Sequence, residues 1–162
     1  RPGADKSKPT SLGPMSEVVH NSLSFMTDDD LQAMAEYLKA LPASSAMSPD
    51  HQPDKTLAAG ATTYVDNCSA CHQAQGSGIP GVFPALAGNG VVLAADANDI
   101  LKVVLFGIPV QDGYIAMPGF GDKLSDQQIA DLANYLRSSW GNGAAVNATA
   151  AQVAALRKLP VE

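Results

Sequence analysis

The amino-acid sequence predicts an all-α protein, and three observations lead there. Two stretches, Thr27 to Leu41 and Ser125 to Ser139, place apolar residues at the three-and-four spacing of a helix behind a hydroxyl residue suited to cap it. No βαβ pattern is visible anywhere in the 162 residues. The chain's two cysteines are both used by one run, Cys68-Ser69-Ala70-Cys71-His72, so no disulfide framework is left to shape the fold.

The elements follow in chain order. Arg1 to Leu12 is rich in Pro, Gly, Ser and Lys and reads as coil. In the helix from Thr27 to Leu41, Asp28, Asp29 and Asp30 lie at the positive end of the dipole, and Leu31, Met34, Ala35 and Leu38 share a face. Pro42 stops it, and residues 43–53 are a linker by composition. A second helix is expected from Asp54 to Asn67, with Gly60, Tyr64 and Cys68 along one stripe. Gly60 and Tyr64 suit a close crossing near Leu132 and Tyr135. Gly76 to Gly88 holds too many glycines and prolines for regular structure. Asn98 to Phe106 reads as a short apolar helix ended by Gly107 and Pro109. Gln111 to Gly121 is a loop carrying Met117-Pro118-Gly119-Phe120. Ser125 then opens an amphipathic helix whose buried face is Ile129, Leu132, Ala133 and Leu136. Thr149 is placed to cap a last helix, Ala150 to Leu159, with Val153, Leu156 and Leu159 spaced by three. That face is expected either to dock on a partner or membrane surface or to fray as a free terminus.

One internal repeat alters the domain reading. Thr27-Asp28-Asp29-Asp30-Leu31-Gln32-Ala33-Met34-Ala35-Glu36-Tyr37-Leu38-Lys39 matches Ser125-Asp126-Gln127-Gln128-Ile129-Ala130-Asp131-Leu132-Ala133-Asn134-Tyr135-Leu136-Arg137 in type at cap, acid, aliphatic, Ala, Tyr-Leu and base. A methionine precedes each, Met15 and Met117. The repeat implies that residues 1–42 are the tail of a preceding copy of the same domain, with a linker at 43–53, a complete domain at 54–141 and an extension at 142–162. Two capped amphipathic helices can also resemble each other by chance.

C-x-x-C-H is the attachment signal for a c-type haem. Two thiols three residues apart can add to the two vinyl groups of one porphyrin, and the adjoining imidazole is then held against the iron. A thioredoxin-like dithiol would want a βαβ setting. A zinc site would need further ligands, yet only His20 and His51 remain, both in polar or linker sequence. His72 is therefore the expected proximal ligand, its Nδ1–H needing a carbonyl acceptor from the following loop: Pro84 first, Pro80 second, unless both prolines only stiffen the loop. Met117 is the expected sixth ligand. A methionine is often plain core filler, but this one sits on a loop stiffened by Pro118, and no histidine follows it. A neutral thioether favours Fe(II), and two protein axial ligands leave no position open for substrate. That favours electron transfer over catalysis, with a peroxidase-like enzyme or sensor having a displaceable Met117 as the alternative. Val82, Phe83, Leu86, Ile100, Val104, Leu105, Ile115, Phe120, Leu124, Leu132 and Leu136 are candidates to wall the porphyrin, or ordinary packing.

Composition limits the partners. The formal charge of −6 argues against nucleic acid. No stretch reaches the roughly 20 apolar residues of a spanning helix, so membrane association is expected only through missing or C-terminal segments. Attachment of haem to this motif occurs outside the cytoplasm, so an export signal upstream and a periplasmic location are expected.

Gly60-x3-Tyr64-x3-Cys68-x2-Cys71-His72, the Gly/Pro loop, Met117 and the terminal helix together resemble class I cytochrome c over residues 54–140. Pro80-Gly81-Val82-Phe83-Pro84-Ala85-Leu86-Ala87-Gly88-Asn89, Met117-Pro118-Gly119-Phe120 and Leu132-Ala133-Asn134-Tyr135-Leu136-Arg137-Ser138-Ser139-Trp140-Gly141-Asn142 resemble more closely the last haem domain of the three-haem cytochrome subunits of bacterial membrane-bound dehydrogenases. Those subunits serve alcohol, gluconate, aldehyde and glucose oxidation. The resemblance implies one haem c on this chain, electrons arriving from a flavin- or quinone-dependent dehydrogenase subunit, neighbouring haem domains in a full-length subunit, and ubiquinone or another acceptor. It also makes Met15, in Gly13-Pro14-Met15-Ser16-Glu17-Val18-Val19, the axial methionine of the preceding domain. The departure is the single C-x-x-C-H here against three there, which implies a C-terminal piece.

Overall fold

A computed structural model of the chain describes residues 18–19, 21–41, 55–110 and 115–159. The expected coil before residue 13, Met15, His20, Pro42, the linker at 43–53, His51 and the start of the 111–121 loop lie outside them. The chain divides into two compact units.

The described part of the first unit is a 3-10 turn, Leu23–Phe25, and helix α1, Asp28–Ala40. Thr27 caps α1 by accepting the Asp30 N–H at 3.2 Å, and the three aspartates occupy its first turn. The amphipathic face is present in sequence, but among the described residues α1 has no buried side chain, and Met34 and Leu38 are exposed.

The second unit holds α2 (Lys55–Asn67), α3 (Ser69–His72), α4 (Asn98–Phe106), strands β1 (Gly107–Ile108) and β2 (Met117–Pro118), α5 (Asp126–Ser138) and α6 (Ala150–Leu156). Its main packing is α2 across α5. The crossing is tight because Gly60 has no side chain: a Cβ there would stand 2.2 Å from the Asp131 carbonyl oxygen and 2.6 Å from Tyr135 Cβ. The core is built from Tyr64, the α4 residues Ile100, Leu101, Val104 and Leu105, the α5 residues Ile129, Leu132, Ala133 and Leu136, and Val153. Ser125 with Gln128, and Thr149 with Gln152, form reciprocal capping boxes that start α5 and α6.

Three details depart from expectation. The turn after Cys68 is a helix of its own, α3. Met117 lies not in open loop but in a two-residue antiparallel pairing, Ile108 opposite Met117 and Gly107 opposite Pro118. A pairing that short has no alternation to read. The last helix ends at Leu156, not Leu159, and its apolar face is neither free nor frayed. Val153 and Leu156 are buried, with α6 packed on α4 and α5, so the domain itself takes up these two positions of the expected docking face, while Leu159 beyond the helix is exposed.

Candidate functional site

Helix α2 delivers the cysteines. Cys68 ends its stripe and serves as N-cap of α3, accepting the Cys71 and His72 N–H groups at 3.1 and 2.9 Å. Cys68 is buried and Cys71 exposed, and both are free thiols. Three residues apart across one helical turn, they are near neighbours. Burial pushes the Cys68 thiol up to about 11, with the neighbouring Cys71 adding to it and Lys123 opposing. Tyr64, one turn before Cys68, donates its hydroxyl to the Gln73 carbonyl and so ties down the residue after His72.

The Gly/Pro loop then folds back over the histidine. Gly78 N–H donates to the His72 carbonyl at 3.0 Å, Ile79 bridges to Phe83, and the Pro84 carbonyl arrives 2.9 Å from His72 Nδ1. A carbonyl only accepts, so Nδ1 carries the proton and Nε2 is left with its lone pair. Burial lowers the His72 pKa, against the opposing pull of the Pro84 bond, and so favours the neutral ring a metal requires. Pro80, the second choice of acceptor, does not make this bond.

Met117 is half-buried and set by β1. Gly107 makes the pairing possible: its φ is +77°, and a Cβ there would stand 2.3 Å from the Met117 carbonyl oxygen. The Met117 segment and the Pro84 loop meet where Ile115 N–H donates to the Val82 carbonyl at 3.3 Å.

The expected wall residues fall into two groups. Ile100, Val104, Leu105, Leu124, Leu132 and Leu136 are buried in the core, whereas Val82, Phe83, Leu86 and Phe120 are only half-buried and Ile115 is exposed. Ile79 and Phe106, not singled out from sequence, are also exposed. Of these residues, the half-buried and exposed ones sit on the two loops that carry Pro84 and Met117, except Phe106, which ends α4. Two thiols on one turn, a neutral imidazole with a free Nε2, a thioether and uncovered apolar side chains suit a covalently attached haem. Among the described residues, no three His, Cys, Asp or Glu side chains gather as a metal site of the zinc kind.

Three residues that support the site, Asn142, Arg137 and Trp140, were given no individual role from sequence, although all fall in the run that carries the resemblance. Asn142, buried, accepts the Gly88 N–H at 2.8 Å and donates to the carbonyls of Leu136 at 2.8 Å and Leu86 at 3.2 Å, pinning the Pro84 loop to the end of α5. Arg137, fully buried, donates to the carbonyls of Val92, Ala94, Ala95, Asp96 and Ala145, and desolvation lowers its pKa. Trp140 packs on Tyr64 and Tyr135 with ring centroids 4.9 and 5.5 Å apart and donates to the Ala74 carbonyl.

A helical domain whose α2–α5 crossing frames a C-x-x-C-H turn is the class I cytochrome c architecture. The cytochrome c family profile matches residues 57–140, and the chain belongs to that family, whose members carry covalently bound haem c. It is 41% identical to the gluconate 2-dehydrogenase cytochrome c subunit of Pantoea cypripedii, over 91% of this chain and 37% of that one. It is 40% identical to the alcohol dehydrogenase (quinone) cytochrome c subunit of Gluconobacter oxydans, over 90% and 34%. With cytochrome c-552 of Thermus thermophilus it shares 35% identity over 60% of this chain and 83% of that one. The chain spans about a third of the length of the dehydrogenase subunits it matches.

Proposed function

We propose that the second unit is an electron-transfer domain holding one haem c. Cys68 and Cys71 form its thioether links, and His72 Nε2 and Met117 sulfur are the axial ligands. The observation that carries this reading is the His72 Nδ1 to Pro84 carbonyl contact, because it orients Nε2 as a ligand on the turn that presents both thiols. Bound haem supplies a one-electron Fe(III)/Fe(II) couple. The chain's own residues set its conditions. The Pro84 carbonyl raises the basicity of His72, the soft sulfur of Met117 favours the reduced iron, and Phe83, Leu86 and Phe120 exclude water.

The names of the relatives support a place in a dehydrogenase complex. We infer that the domain there takes electrons from a flavin- or quinone-dependent catalytic subunit toward ubiquinone or another respiratory acceptor, at the periplasmic side. In that setting this chain relays electrons and catalyses nothing itself. Residues 1–42 read as part of a preceding cytochrome repeat, since Thr27 to Lys39 matches Ser125 to Arg137 in residue type and both helices open on a hydroxyl cap.

Spectroelectrochemical titration of the holoprotein tests the site. A low-spin spectrum and a single one-electron step are expected, with a lower potential in Met117→His. A high-spin ferric spectrum, or a potential indifferent to that substitution, contradicts the assignment.

A further inference from the structure

The segment beyond the family match folds back onto the stretch that follows Met117. Its helix, α6, is anchored by the buried Val153 and Leu156 against α4 and α5. At the end of α6, Arg157 reaches three acceptors on or beside that stretch. Nε donates to Asp126 Oδ1 at 2.5 Å, Nη2 to the Leu124 carbonyl at 2.6 Å, and Nη1 to the Gly121 carbonyl. Gly121 lets the stretch lie close to both α4 and the fork, since a Cβ there would stand 2.9 Å from the Leu105 carbonyl oxygen and 3.3 Å from Nη1. The opposite side of the stretch is held by the end of α4: Phe120 N–H donates to the Val104 carbonyl at 2.8 Å and Gly121 N–H to that of Leu105 at 3.1 Å. Residues 120–124 are therefore gripped between two α4 carbonyls and one guanidinium. A rigid planar fork that satisfies three acceptors fixes orientation as well as distance.

We propose that Arg157 is a positioning residue for Met117: it immobilises the stretch that anchors the methionine and so governs how readily the sulfur leaves the iron. The proposal rests on Met117 being the axial ligand. An external ligand must bind a form in which that sulfur has moved away, so its apparent affinity scales with the population of that form. Losing hydrogen bonds from a charged donor raises that population.

The test is imidazole titration of the ferric holoprotein, followed by the weak far-red charge-transfer band of sulfur-ligated haem. Arg157→Met is expected to bind imidazole about tenfold more tightly than wild type, with a weaker band. Arg157→Lys keeps the charge and stem but not the fork, and about threefold tighter binding is expected of it. It stands as the deciding variant should Arg157→Met not fold. Wild-type affinity and band in the folded variants overturn the proposal, even if thermal stability falls, because α6 is then only a structural brace. Met117→Ala separates the two levels. Loss of the band in that variant together with wild-type behaviour of the Arg157 variants defeats the positioning role alone. Survival of the band in Met117→Ala defeats the ligand assignment and the proposal with it.

Discussion

Asn142 uses its amide on three backbone groups, the Gly88 N–H and the carbonyls of Leu136 and Leu86, the last of which also accepts the Asn89 N–H at 3.3 Å. Asn142→Ala strands the buried Leu136 bond site and removes two part-buried links to the Pro84 loop, and is expected to lower stability by about 2 kcal/mol. Denaturant unfolding of the holoprotein measures this, and a loss under about 0.5 kcal/mol contradicts the pinning role. Tyr64 is expected to make the domain sensitive to alkali. Burial raises its pKa from 10.0 to about 12. Below pH 10 the phenol keeps its proton in both folded and unfolded states, so nothing is lost. As pH rises through the window between the two values the unfolded chain releases the proton first, and stability falls by up to about 3 kcal/mol. Tyr64→Phe is expected to flatten that limb in unfolding curves taken across the window. Unchanged alkaline sensitivity in the variant contradicts it. Legibility at this scale was uneven for a physical reason. Cys68, Cys71 and His72 could be singled out because their chemistry depends on spacing. Arg137, Asn142 and Arg157 could not, because their partners are almost all carbonyls, which every residue has.

At the scale of elements, the α2–α5 crossing depends on a missing side chain. Alanine is the better helix former by about 1 kcal/mol, yet a Cβ at 60 would meet the Asp131 carbonyl at 2.2 Å. Gly60→Ala is therefore expected to destabilise by about 2 kcal/mol or more, read as a lowered midpoint in thermal or denaturant unfolding. A stabilised variant contradicts the crossing. The helices α1 and α5 were readable because caps, dipole charges and apolar spacing agree within each, and α4 because its apolar run is closed by Gly107 and Pro109. The α3 turn and the β1–β2 pairing were not, since elements of four and two residues carry no periodicity. The face of α6 was readable, but not what would cover it: burial of Val153 is decided by α4 and α5, far away in sequence.

At the scale of the whole molecule, the same helical pattern occurs twice with opposite fates. α5 buries its apolar face and α1 buries no residue. An isolated helix of this length is marginal in water. Amide exchange of the full chain is therefore expected to be far faster in Asp28–Ala40 than in Asp126–Ser138. Equal protection contradicts the exposure of α1. The account as a whole centres on one porphyrin held by both sulfurs of the α2–α3 junction. Intact mass of the denatured, mature protein tests that most directly. It should equal the polypeptide plus one haem, with no thiol left to alkylate and the increment gone in Cys68→Ala/Cys71→Ala. A bare polypeptide mass with two reactive thiols would contradict the account.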